Sequence, residues 1–180
     1  LAAFGPTGQS QKGAAYVYIK SGSTWVLQQK LVPDDGQVDD LFGCSVAISG
    51  DTVVIGAYAD SNSSFAHHGS AYIFTRTGTN WTQQQKLTAD DMAADDRFGN
   101  SVAIDGNTVI VGAEGDNVAA NVDQGSAYIF VRSGSVWSQQ AHITAPDAAP
   151  DDRFGWSVAI VGDTVFVHGG VLPKHVKYGL

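Results

Sequence analysis

Eleven of the 17 Asp residues fall in three short stretches: Asp34, Asp35, Asp39 and Asp40; Asp90, Asp91, Asp95 and Asp96; Asp147, Asp151 and Asp152. Clustered carboxylates can hold a hard cation such as calcium, which takes oxygen ligands. On that reading Asp35, Asp39, Asp91, Asp95, Asp147 and Asp151 are the ligand candidates. The other chemistry is local. A short Asp carboxylate accepts N–H groups of its own turn, which the longer Glu does poorly, and Glu114 is the chain's single Glu. The turn reading is favoured, because the spacing matches no calcium loop, with Arg97 and Arg153 as partial counter-charges.

A second group combines Asp60, Asn62, Ser64, His67 and His68 in one segment with Glu114, Asp116 and Asp123 in another. Asp60-x-Asn62-x-Ser64 has the one-three-five oxygen spacing of a calcium loop but lacks its closing bidentate acid. The His67-His68 pair with Asp60 has donors suited to a transition metal. A solvated surface loop is the plainer reading, and such loops on a rigid scaffold carry recognition. Binding is therefore expected here rather than catalysis. Trp156 is the candidate aromatic platform for a sugar. Two glycosylation sequons, Asn62-Ser63-Ser64 and Asn80-Trp81-Thr82, fall at expected surface positions.

Catalytic signatures are missing. No Ser sits in a nucleophile elbow, and no helix is expected for a Gly-rich loop to open. His142, His168 and His175 are scattered, with His142 standing where Lys30 and Lys86 stand. A catalytic carboxylate pair needs two distinct environments, whereas these recur in triplicate. Cys44 aligns with Asn100 and Trp156, so that position is expected to tolerate any residue. The expectation is a non-enzyme.

Composition agrees. The chain has 180 residues, a net charge of −8 and 16% charged residues. It lacks the basic stripe that nucleic-acid binding requires, and no apolar run reaches the roughly 18 residues of a membrane span. Poverty in Glu, Lys, Met and Leu, beside plentiful Val, Ile, Thr and aromatics, argues for strands.

The elements that position these residues recur every 56 positions. Trp25, Trp81 and Trp137 share that spacing, as do Phe42-Gly43, Phe98-Gly99 and Phe154-Gly155, and Gly13, Gly69 and Gly125 before Ala-Tyr. Each period reads as four short strands. The first follows Phe-Gly (45–48, 101–104, 157–160). The second is β-branched (52–56, 108–112, 164–167) and expected to be buried on both faces. Gly50-Asp51, Gly106-Asn107 and Gly162-Asp163 form tight hairpins between them. The third strand (14–20, 70–76, 126–132) turns into a fourth (25–31, 81–87, 137–143), whose Gln and Lys residues suit a solvent-touching edge. Phe42, Phe98 and Phe154 are read as packing between units. Four antiparallel strands per repeat describe an all-β fold, a β-propeller of four-stranded blades.

Phe-Gly at the head of each unit, with Val54-Ile-Gly-Ala57 and Val111-Gly-Ala113 closing the second strand, resembles the FG-GAP repeat of integrin α-chain propellers. The resemblance implies adhesion or recognition at the cell surface or outside the cell, through protein partners. A lectin-like propeller and a structural subunit of a large assembly are the alternatives. Integrin-type calcium loops lie between the first and second strands; here that connection is a two-residue hairpin, so those sites are not carried over.

In phase, the chain divides into residues 1–40 (third and fourth strands plus a loop), 41–96 and 97–152 (two blades), and 153–180 (first and second strands plus a divergent tail). Three blade-equivalents fall short of the roughly four to eight of closed propellers. The expectation is a piece of a longer propeller, with head-to-tail joining of copies as the alternative.

Overall fold

Gly50, Gly106 and Gly162 hold φ angles of 57°, 55° and 52°, the left-handed conformation that reverses a chain between strands within two residues. The computed structural model describes residues 12–170 and contains twelve strands and no helix. They are β1 Ala15–Ser21, β2 Thr24–Leu31, β3 Ser45–Ser49, β4 Thr52–Ala57, β5 Ser70–Thr77 and β6 Asn80–Leu87, then β7 Phe98–Asp105, β8 Thr108–Ala113, β9 Ser126–Ser133, β10 Val136–Ile143, β11 Phe154–Val161 and β12 Thr164–Gly169. Strands β3–β6 and β7–β10 each form an antiparallel four-stranded meander, and β1-β2 and β11-β12 form two-stranded half-blades. Most of the tail expected to diverge, 171–180, lies outside the described residues.

Alternation within each blade builds the layers. Val54 and Ile73 face one way, packing with Phe98, Val109, Val111, Tyr128 and Phe130 of the next blade. Val53, Ile55, Tyr72 and Phe74 face the other way, packing with Leu31 and Phe42. Strand β4 is accordingly buried throughout. Phe98 lies between blades and meets Tyr128 and Phe130 edge-on, with centroids at 5.4 and 5.9 Å; Phe42 repeats the arrangement with Tyr72 and Phe74.

Three sequence expectations change. Strands β7 and β11 start at Phe98 and Phe154 rather than Ser101 and Ser157, because Phe-Gly enters the sheet across a bulge. The outer-strand Gln residues are connectors between blades rather than a solvated edge. Gln29 Nε2 donates to the Trp81 carbonyl and its Oε1 accepts the Trp81 N–H, both at 2.8 Å. Gln85 does the same to Trp137, while Gln28 and Gln84 accept the indole N–H groups of Trp81 and Trp137. Finally, the position of Cys44 and Asn100 has a task. Cys44 Sγ and Asn100 Nδ2 approach the carbonyls of Gly99 and Gly155 at 3.4 and 3.2 Å, beside Ser45 and Ser101, whose hydroxyls donate to the same oxygens at 2.8 and 2.7 Å. Burial pushes the Cys44 thiol up in pKa, away from nucleophilic thiolate character.

Candidate functional site

The Asp-rich loops follow one plan. The carboxylates of Asp40, Asp96 and Asp152 each accept the N–H three residues earlier, from Gln37, Ala93 and Ala149 at 2.5, 2.5 and 2.6 Å. The residues before them, Asp39, Asp95 and Asp151, all have left-handed backbone, with φ of 71°, 66° and 67°. Asp tolerates that region better than most residues. The repeated acids thus shape three identical turns. Burial raises the pKa of Asp40 and pushes that of Asp96 to about 7; Oδ1 of Asp96 is buried without a hydrogen-bond partner.

The other acids meet a cation from the fourth strand. In the first complete blade, Lys86 Nζ reaches Asp35 Oδ2 at 2.7 Å and Asp60 Oδ2 at 2.6 Å. Ser70 donates its hydroxyl to Asp60, and Tyr72 donates to Asp35 at 3.0 Å. Burial opposes the charges, but the Lys86 hydrogen bond and charge hold Asp35 below its ordinary pKa. Conversely, against burial, both carboxylates hold Lys86 well above its own. In the second blade every member recurs 56 positions later except the cation. His142 Nδ1 lies 3.2 Å from Asp91 Oδ2, and its Nε2 lies 3.4 Å from Asp116 Oδ2 and 2.8 Å from Ser126 Oγ. Tyr128 donates to Asp116 at 3.1 Å and stacks on the imidazole at 4.5 Å.

Ser126, His142 and Asp91 thus stand in the order of a catalytic triad. Ser126, however, is fully buried, so no scissile group can reach its Oγ, and the matching blade fills the same positions with Ser70, Lys86 and Asp35. The constellation clamps loops: Asp91 belongs to the inter-blade loop and Asp116 to the loop joining β8 and β9.

The sequence candidates divide by exposure. Asp60, His68, Glu114 and Asp116 are buried. His68 Nδ1 bonds the Gly69 carbonyl at 2.8 Å. Glu114 is paired by Arg97 at 3.1 Å and Arg153 at 3.7 Å, so these arginines serve Glu114 rather than the Asp turns. Asn62, His67 and Trp156 are exposed and Asp123 is partly so. Asn62 Oδ1 accepts the N–H groups of Ser64 and Phe65, both at 2.8 Å, which spends the oxygen expected of a calcium ligand on an Asx turn. His67 Nδ1 lies 3.1 Å from Asp95. Asp147 and Asp151 lie in the third turn with exposed side chains. Among the described residues, no group of three or more His, Cys, Asp or Glu side chains is arranged to hold a metal ion.

What the sequence treated as two loop sets is one surface. The N–H groups of Asp95, Arg97 and Phe98 donate to the carbonyls of Ala66, His67 and His68 at 2.9–3.1 Å. Asp151, Arg153 and Phe154 bond Val122, Asp123 and Gln124 in the same way. A cleft of about 490 Å³ opens there, lined by Asp39, Leu41, Tyr58, His67, Arg97 and Glu114. Trp156 occupies the Cys44 and Asn100 position, with Arg153 over its ring at 6.0 Å.

An all-β stack of repeated blades with a loop face of mixed polarity belongs to the class of propeller-type interaction domains. The FG-GAP repeat model matches residues 25–74, 81–130 and 137–169, and the chain belongs to the FG-GAP repeat family. Repeats of this family are typically non-catalytic and typical of extracellular or cell-surface proteins. Among the described residues no helix is long and apolar enough to cross a membrane. A 38-residue segment is 53% identical to Shewanella-like protein phosphatase 2 of Arabidopsis thaliana, covering 19% of this chain and 10% of the phosphatase. The chain therefore spans about a tenth of that relative and shares with it less than one repeat.

Proposed function

We propose that this chain is a non-catalytic recognition module of an extracellular or cell-surface protein, binding protein partners through the face built from the β4–β5, β8–β9 and inter-blade loops. The observation that carries this reading is the backbone ladder joining residues 66–68 to 95–98 and 122–124 to 151–154. It fixes loops of differing sequence into one rigid face, and preorganised loops bind at lower entropic cost. The exposed carboxylates of Asp34, Asp39, Asp90, Asp95, Asp147 and Asp151 favour a partner with a basic patch, since complementary charge steers association.

Surface plasmon resonance against a panel of purified cell-surface and matrix proteins tests the proposal. Binding should weaken with salt. It should be lost when residues 62–66 are replaced by a Gly-Ser segment of equal length, with the melting temperature kept. Binding retained by that variant, or lost on changing Thr79 and Ser135 in the opposite hairpins, would overturn it.

A further inference from the structure

The two complete blades hold their loops with the same clamp but a different cation, Lys86 in one and His142 in the other. A lysine stays charged throughout the physiological range, whereas an imidazole titrates inside it. We propose that His142 is a proton-operated clamp, which holds the inter-blade loop of Asp91 against the β8–β9 loop of Asp116 when protonated and releases them when neutral, while the Lys86 clamp stays closed.

The geometry supplies the mechanism. Doubly protonated His142 donates from Nδ1 to Asp91 and from Nε2 toward Ser126 and Asp116. Ser126 is then free to give its own proton to Asp116. Neutral imidazole carries a single N–H. With that hydrogen on Nδ1, Nε2 turns a lone pair toward Ser126, which must donate to it and abandon Asp116. With the hydrogen on Nε2, a lone pair on Nδ1 faces the Asp91 carboxylate. Either tautomer leaves two carboxylates facing one uncharged ring.

The groups facing the imidazole are few. Asp91 comes from the inter-blade loop, Asp116 from the β8–β9 loop, and Ser126 and Tyr128 from β9; Asp96 adds negative charge only where it is ionised, above its own pKa of about 7. The Asp116 hydrogen bond, opposed by burial and aided by the Asp91 and Asp96 charges, raises the folded pKa of His142 above its ordinary 6.5. A raised folded pKa means that the stabilisation is full below the unfolded value and is lost as pH rises through the folded one.

The clamp itself stands apart from the proposed protein binding; only its use as a regulator of that face rests on that reading. Hydrogen–deuterium exchange of the intact chain at pH 5.5 and 8.5, corrected for intrinsic rates, is the test. Protection in 88–97 and 114–124 should fall at the higher pH, by roughly tenfold for each unit of pKa elevation, while 32–41 and 58–69 hold theirs. In an Asp96→Asn background, which removes that carboxyl's own titration, His142→Lys should keep protection at both pH values and abolish the difference. His142→Gln should lose it at both, with Asp96→Asn separating the contribution of that carboxyl. A His142 NMR titration midpoint at or below the ordinary value, or equal pH response in the two blades, would overturn the proposal. The exchange data do so without any partner, so failure of the clamp and failure of the recognition reading are distinguishable.

Discussion

Gly56 of the first complete blade and Gly99 of the next lie backbone to backbone, so that a methyl group on Gly56 would overlap the Gly99 carbonyl oxygen. Gly112 and Gly155 repeat the relationship. The Gly of the Phe-Gly pair and the Gly closing the second strand are thus the two halves of one contact between blades. Gly56→Ala should destabilise by about 1–3 kcal/mol, the usual cost of overpacking, lowering the melting temperature by several degrees. Gly56 lies outside the left-handed region, so the loss measures the contact rather than backbone strain. An unchanged melt would refute it.

The Gln85 connector makes two hydrogen bonds, at 2.7 and 2.8 Å, to the carbonyl and N–H of Trp137. Gln85→Ala should cost about 1–3 kcal/mol, because two partly buried backbone groups lose partners at roughly 0.5–1.5 kcal/mol each. Gln85→Glu should be nearly as harmful, since a carboxylate cannot donate to the carbonyl. Urea denaturation of both variants checks this.

Equivalent aromatics should differ sharply in cost. Trp137 is 2% exposed and Trp25 67%. Trp137→Ala and Phe98→Ala should each cost about 3–5 kcal/mol as core truncations, while Trp25→Ala should stay within about 0.5 kcal/mol, as surface changes do. Calorimetry of the three variants compares them directly.

Asp96 gives the loop plan its own pH dependence. Its folded pKa of about 7 exceeds the ordinary 3.8, so the folded state binds its proton more tightly. The native state is favoured at low pH and loses stability as pH rises from about 4 through 7. Asp96→Asn should flatten that slope in melting temperature between pH 5 and 8. A variant as pH-sensitive as the parent, measured in a His142→Lys background, would exclude Asp96 as its source.

The blade order was legible because three marker sets share one period and turn glycines mark every hairpin. The loop clamp was equally written there: Asp35, Asp60, Ser70, Tyr72 and Lys86 recur as Asp91, Asp116, Ser126, Tyr128 and His142. It shows only in the fold, because its members lie on four elements, two loops and two strands, that the meander brings together. The Gln residues misled for a related reason. Polar residues on an outer strand look solvated until the neighbouring blade's Trp supplies bonding groups. Asp60, Glu114 and Asp116 lie in stretches whose expected state is a solvated loop, yet they are buried, since a loop position says nothing about whether its acid turns inward toward a cation.

The most direct test of the recognition reading is an exchange footprint of a bound protein partner on the intact chain. Protection is expected in residues 58–68, 88–97, 114–124 and 144–153, with the hairpins at 49–52, 77–80, 105–108 and 133–136 unchanged. Protection confined to those hairpins, or to the outer strands β6 and β10, would contradict the account.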